Sequence, residues 1–166
     1  IVNESIVGDN DESPVNIILD KLEISDKIKD SVKDEFEKVL QLLNFNSYAH
    51  DIFRKWYVDG RLPYHIIIDD KSPKNGIKEL RYIDPTMLRK VKEIEEEKDT
   101  KTGAMVITKQ EEYFLFQDNK MNASGQGIKI HPDAICYATS GMLDPTRKRI
   151  LSYLHKAIKP VNQLRM

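Results

Sequence analysis

Three carboxylates near the middle of the chain pose the first chemical question. Asp69 and Asp70 close one apolar run and Glu79 opens the next, on either side of the turn-forming stretch DDKSPKNG. Acids brought together across a hairpin could hold a divalent cation, and a metal-dependent nuclease uses such a cluster to activate water against a phosphodiester. Those enzymes place a lysine just beyond the second acid, whereas Glu79 is followed by Leu80 and Arg81. A second acidic group, Glu95, Glu96, Glu97 and Asp99, is interrupted by Lys98. Strand side chains alternate between faces, so these acids cannot all converge. His50, His65, His131 and His155 are too widely spaced for a zinc set. His65 on a strand and His155 on a helix read as structural residues. The lone Cys136 sits in an apolar run and reads as a small packing residue, with no partner for an internal disulfide. Gly125, Gln126 and Gly127 form an isolated G-x-G, and neither a phosphate-binding P-loop nor a G-x-S-x-G elbow is present. These residues describe a chain that is not an enzyme and calls for no cofactor and no metal.

The stretch FRKWYVDGRLPYHIIIDD, Phe53 to Asp70, offers a different chemistry, because basic and aromatic residues alternate as they do on nucleic-acid platforms. Helical spacing separates them: Tyr48, Ile52, Phe53, Trp56 and Tyr57 share one side, and Arg54 and Lys55 take the other. The aromatic and cationic groups then face different ways, which favours a structural corner. A helix over about Ser47 to Val58 would stop at Gly60 in the left-handed conformation. Beyond it Tyr64, Ile66 and Ile68 alternate as a strand. The predicted core of the corner is Phe53, Trp56, Tyr57, Gly60, Tyr64 and Ile66.

The elements that must position these residues follow from period and punctuation. VNIIL at 15–19 predicts an edge strand. A helix starts at Ser25 or Asp26, with Ile28, Val32, Phe36, Val39, Leu40 and Leu43 on one face and Asn44 and Asn46 ending it. The long DDKSPKNG loop returns as a strand bearing Leu80 and Tyr82. Asp84 and Pro85 predict a short helix through Leu88. KVKEIEEEK and AMVITKQ form a second hairpin about DTKTG, and EEYFLFQ at 111–117 continues it or forms its own strand. A flexible loop covers 120–127, and two short strands flank His131, Pro132 and Asp133. From Pro145 a helix carries Ile150, Leu151, Leu154 and Ile158, and Pro160 kinks or ends it. Helices, then hairpin-linked strands, then a helix is an α+β order without βαβ repetition. The expectation is N-terminal helices, a small, strongly bent antiparallel sheet or partial barrel, and a C-terminal helix. Three parts are expected: a loosely structured acidic segment at 1–24, an α+β domain at 25–144, and a helical segment at 145–166.

At 166 residues, 40% hydrophobic and 32% charged, the chain suits one domain. No apolar run nears the roughly 18 residues of a membrane span, and the start lacks signal-peptide order, so the sequons at Asn3 and Asn122 carry little weight and an intracellular setting is expected. The net charge of −1 hides an asymmetry: after Asp144 there is no acid against six basic side chains. That polarity suggests an acidic partner, or a free-standing nucleic-acid-binding module as the alternative. The chain begins at Ile1 rather than Met and ends in NQLRM without a stop signal, as expected for part of a longer protein.

Four blocks, FRKWYVDGRLPYHIIID, GIKELRYIDPTMLRKVKEI, AICYATSGMLDP and YLHKAIKPVNQLRM, run in that order from residue 53 to the end. Together they resemble the portal proteins of T-even-type, contractile-tailed bacteriophages. Residues 1–45 and 98–128 match more loosely, and Pro63 stands where a larger strand residue is usual. The resemblance implies a non-enzymatic, dodecameric ring at one capsid vertex, assembled in the host cytoplasm and retained in the virion. It implies contacts with the major capsid protein, the terminase large subunit and neck or head-completion proteins. Double-stranded DNA would pass through the ring without touching this region, and no membrane span is involved. Within such a chain residues 25–144 would be the wing, and 145–166 would lead toward the stem. Leu154, Ile158, Val161 and Leu164, more apolar surface than a small sheet can hide, would then meet stem helices or a neighbouring subunit.

Overall fold

The computed structural model describes residues 15–98, 103–117, 127–146 and 148–165. The expectations for residues 1–14, for most of the DTKTG turn and for nearly all of the 120–127 loop lie outside the described residues. In chain order the elements are α1 (Asp26–Leu42), α2 (Phe45–Asp59), β1 (Arg61–Ile68), β2 (Ile77–Tyr82), β3 (Leu88–Lys98), β4 (Met105–Phe116), β5 (Ile128–Ile130), β6 (Ile135–Thr139) and α3 (Ile158–Leu164). They make a mixed α+β fold with two small antiparallel sheets, ordered β2-β1-β6 and β3-β4-β5. Neither sheet closes into a barrel, which removes the partial-barrel alternative.

The described residues form two compact units. One holds the residues up to Arg61, Lys78–Leu80 and those from Thr139 onward; the other holds Leu62–Ile77 and Arg81–Ala138. In the first unit, Ser25 occupies the N-cap position of α1 and its carbonyl accepts from the amides of Ile28 and Lys29. Phe36, Val39, Leu40 and Leu43 are half-buried, but Ile28 and Val32 on the same stripe stand exposed. Asn44 takes the left-handed conformation, φ 45°, and turns the chain directly into α2. Asparagine tolerates that region better than other non-glycine residues. Asn46 therefore lies inside α2 rather than punctuating it. VNIIL forms no strand; only Leu19 of that run is buried.

In the second unit the DDKSPKNG stretch builds its turn locally. Asp69 accepts from the Lys71 amide at 3.0 Å, a short 3-10 turn spans Pro73–Asn75, and Gly76 returns the chain with φ 84°. β3 and β4 pair antiparallel from Leu88↔Phe116 to Lys98↔Met105, with one irregularity between Glu95 and Glu96. EEYFLF is thus the continuation of β4. Leu88, Phe114 and Ile135 form the buried core, with Ile83, Phe116, Ile130 and Tyr137 packed on it. The corner at His131 passes the chain from β5 in one sheet to β6 in the other.

The short helix expected at Asp84 is absent and the C-terminal helix begins later than expected, for the same physical reason. Asp84 accepts from the Thr86 amide at 2.8 Å and from its hydroxyl at 2.6 Å, which closes a single turn. Leu88 then enters β3 because its side chain is needed in the core. Similarly, the Asp144 carboxylate accepts from the Lys148 and Arg149 amides at 2.9 and 3.1 Å and from the Thr146 hydroxyl at 2.6 Å. Leu143 pairs with Ile150 in an isolated bridge, so residues 145–146 and 148–152 are not helical. In both places an aspartate side chain satisfies the amides that a helix would need. Helical structure resumes with a 3-10 turn at Tyr153–Ala157 and continues as α3. Pro160 is the third residue of α3, where its missing N–H is tolerated, so it does not end the helix.

Candidate assembly interface

The end of α2 shows how the first unit anchors its C-terminal segment. Gly60 is buried with φ 71°, and a Cβ there would lie 2.6 Å from the Leu151 carbonyl oxygen and 2.8 Å from Ser152 Cα. Its carbonyl accepts from the Ser140 amide at 2.8 Å. The Ser140 hydroxyl donates to the Leu151 carbonyl at 2.6 Å and accepts from the Met142 amide at 3.2 Å. Tyr153 completes the clasp. Its ring stacks on Tyr57 at 5.1 Å and 7°, tilts against Trp56 at 5.1 Å, and its hydroxyl donates to the Ser140 carbonyl at 3.3 Å. Phe53 lies 5.6 Å from Trp56 and 6.3 Å from Tyr57.

Phe53, Trp56, Tyr57 and Gly60 are therefore brought together, as half-buried rings around a buried glycine. Tyr64 and Ile66 lie half-buried on β1, where Tyr64 meets Tyr82 edge-on at 5.9 Å. Tyr153 is a member that sequence periodicity does not reveal. Its position one residue before the Leu154–Ile158 stripe, in a chain with an unfilled aromatic face on α2, was the available signal. Arg54 is exposed, and Lys55 pairs with Asp51 at 2.6 Å, whose carboxyl is held below its ordinary value by that hydrogen bond.

Beyond Tyr153 the surface changes character. Leu154, Ile158, Val161 and Leu164 are 41%, 53%, 49% and 88% exposed, at spacings that place them along one helical side. Of these, Ile158 also lines an open trough of about 560 Å³, together with His155, Lys159, Asn162 and Gln163. The same segment carries Lys156 and Arg165, and no acid lies between 145 and the end. α3 packs on the 3-10 turn before it, which in turn packs on α2.

The groups with potential for chemistry stay apart. Among the described residues no three His, Cys, Asp or Glu side chains gather to hold a metal ion. Asp69 is spent on its turn, and the four histidines lie on separate elements. The glutamates of β3 and β4 form a solvent-exposed charge ladder. Glu112 meets Lys90 at 3.1 Å and Glu95 meets Lys109 at 3.3 Å; these bonds lower the Glu112 carboxyl and raise the Lys109 ammonium from their usual values. Tyr113 donates to Glu93, and this bond raises its hydroxyl above the ordinary range. Cys136 corrects one expectation. It is exposed, because Ile135 takes the inward position of β6 and the next side chain must point out.

An exposed apolar stripe on a segment rich in cations is the kind of surface that marks an interaction site. No helix among the described residues is long and apolar enough to cross a membrane. The chain belongs to the bacteriophage T4-like portal protein (Gp20) family, whose model matches residues 1–166. It is 38% identical over 180 aligned positions to the portal protein of Vibrio phage KVP40, covering 100% of this chain and 34% of that protein. It is 32% identical over 178 positions to the portal protein of Salmonella phage ViI, covering 99% of this chain and 32% of the relative. The chain thus spans about a third of the length of these curated relatives.

Proposed function

We propose that the chain is the wing region of a phage portal protein, a non-enzymatic component of the virion. The whole-chain family match carries this reading. The exposed Leu154–Leu164 stripe supports it, since such a surface is stabilised by being covered in an assembly. On this reading the full-length protein forms a dodecameric ring at one capsid vertex, assembled in the host cytoplasm. It docks the terminase large subunit during packaging and neck proteins afterwards, and it passes double-stranded DNA along its axis. Residues 25–144 are the wing, and 145–166 lead toward the stem. Trp56 and Tyr57 of α2 pack against Tyr153, which supports a structural rather than a base-stacking use of these two rings.

Electron microscopy of the full-length protein tests the proposal: rings with an axial channel are expected, and a protein that stays monomeric at all concentrations overturns it. Magnesium-dependent nicking of supercoiled DNA by this chain would overturn its non-enzymatic character. DNA binding by the isolated chain that weakens steeply with salt would instead support a free-standing nucleic-acid-binding module.

A further inference from the structure

Every residue from Tyr153 to Arg165 is exposed, and residues 148–165 hold five basic and no acidic side chains. On α3, Ile158, Val161 and Leu164 recur three apart, and Arg165 follows Val161 by four, so its guanidinium shares their side of the helix. Lys159 takes the opposite side, and Lys156 lies in the 3-10 turn before. Among the described residues none of these three cations forms an ion pair. Along residues 15–44 of the same unit, seven acids are interspersed with five lysines, so that stretch offers little net field. Residues 1–14, IVNESIVGDNDESP, differ from it. They hold Glu4, Asp9, Asp11 and Glu12 with no lysine or arginine, beside Ile1, Val2, Ile6 and Val7.

We propose that residues 1–14 dock on the α3 segment of their own chain. Their β-branched side chains lie on Ile158, Val161 and Leu164, and their carboxylates lie beside Arg165, with Lys156 and Lys159 adding to the positive field. The physical case has three parts. Acids without a base meet bases without an acid, so the two stretches attract with no like-charge contact between side chains. The docking site is also within reach. Val15 and Ile17 border a hollow on α1 with Phe36 and Leu40, and fourteen residues extend up to about 45 Å from there. α1 and α3 belong to one compact unit, and a unit of that size is about 30 Å across. Finally, the covalent link supplies a millimolar effective concentration, so a contact on a seven-residue helix, too small to hold separate molecules, holds within one. An element of another protein that needs this α3 side must then displace residues 1–14. The inference goes beyond the portal reading and does not depend on it.

Amide hydrogen exchange of this chain, expressed as protection relative to an unstructured peptide, tests the contact. Removing residues 1–14 should lower the protection of residues 161–165 about threefold, as for a tethered contact whose effective concentration is a few times its dissociation constant. Raising the salt to about 0.5 M should erase that difference. Changing Glu4, Asp9, Asp11 and Glu12 together to lysine should act like the removal, and so should Lys156→Glu, Lys159→Glu and Arg165→Glu in one chain. A chain carrying both sets should regain wild-type protection, because opposite charges again face each other. Unchanged Trp56 fluorescence and urea midpoints establish that the variants fold, and the four acid substitutions serve as the test should the shortened chain not fold. Equal protection with and without the four acids overturns the proposal. So does a doubly reversed chain no better protected than either reversal alone. Protection that falls on about hundredfold dilution of the protein also overturns it, because the segment then sits on a neighbouring copy rather than on its own chain.

Discussion

Replacing Gly60 by alanine should cost about 2–4 kcal/mol, assembled from two distinct penalties. The first is conformational: φ is 71°, where an L-residue pays about 1–2 kcal/mol. The second is steric: the new methyl would lie 2.6 Å from the Leu151 oxygen and 2.9 Å from its carbonyl carbon. Both are backbone atoms and cannot swing aside, so the Leu151–Ser152 backbone must retreat. Retreat loosens the Ser140 amide bond to the Gly60 carbonyl, now 2.8 Å, and opens the Tyr57–Tyr153 stack; such overpacking costs about 1–3 kcal/mol. Against this, alanine restricts the unfolded chain and returns about 0.4–1 kcal/mol. Gly141 supplies the control, since its φ is 74° but nothing lies within 4 Å of a Cβ built there. Gly141→Ala therefore carries the conformational penalty alone. Urea unfolding of both variants, followed through the single tryptophan, Trp56, measures the difference. If the two variants lose equal stability within about 0.5 kcal/mol, the close approach of α2 to the Leu151–Ser152 backbone is not what demands glycine.

Trp56→Ala should cost about 2–4 kcal/mol, below the full value for a buried aromatic because the ring is only half-buried, and a loss under about 1 kcal/mol in urea unfolding would discount the Tyr153 contact. Asp144 should contribute an acid-sensitive increment. The Thr146 hydroxyl, then the Arg149 amide, hold its carboxyl below the ordinary 3.8, so its stabilisation is complete above that value and is lost as pH falls through the lower folded-state pKa. Urea midpoints measured across the acid range should accordingly fall less steeply for Asp144→Asn than for wild type, and parallel curves would refute the assignment. Cys136 should react with a thiol reagent in the native protein nearly as fast as after denaturation, and strong native protection would contradict its outward position on β6.

Features governed by neighbours in sequence are legible in the residues themselves. Gly60 stops α2 and DDKSPKNG turns β1 into β2, because each depends on what a side chain or a bare Cα does to its own backbone. The order of helices and hairpins, and with it the α+β class, follows from such signals. The four sequence blocks also point to the portal family, which whole-chain similarity establishes. Pairing decides the rest. Asp84 and Asp144 look like helix starters, yet each spends its carboxylate on a loop, because Leu88 is drawn into the sheet core and Leu143 meets Ile150. VNIIL has strand composition but is not a strand among the described residues, since strand composition alone does not supply a pairing partner. Cys136 points outward because the core takes Ile135, and sheet register is set by partners far away in the chain. Tyr153 joins Trp56 and Tyr57 across nearly a hundred intervening residues, a contact that only the folded backbone brings about. Helix starts and turns are short-range and written locally; which apolar face is covered depends on distant elements, and only the tertiary structure decides it.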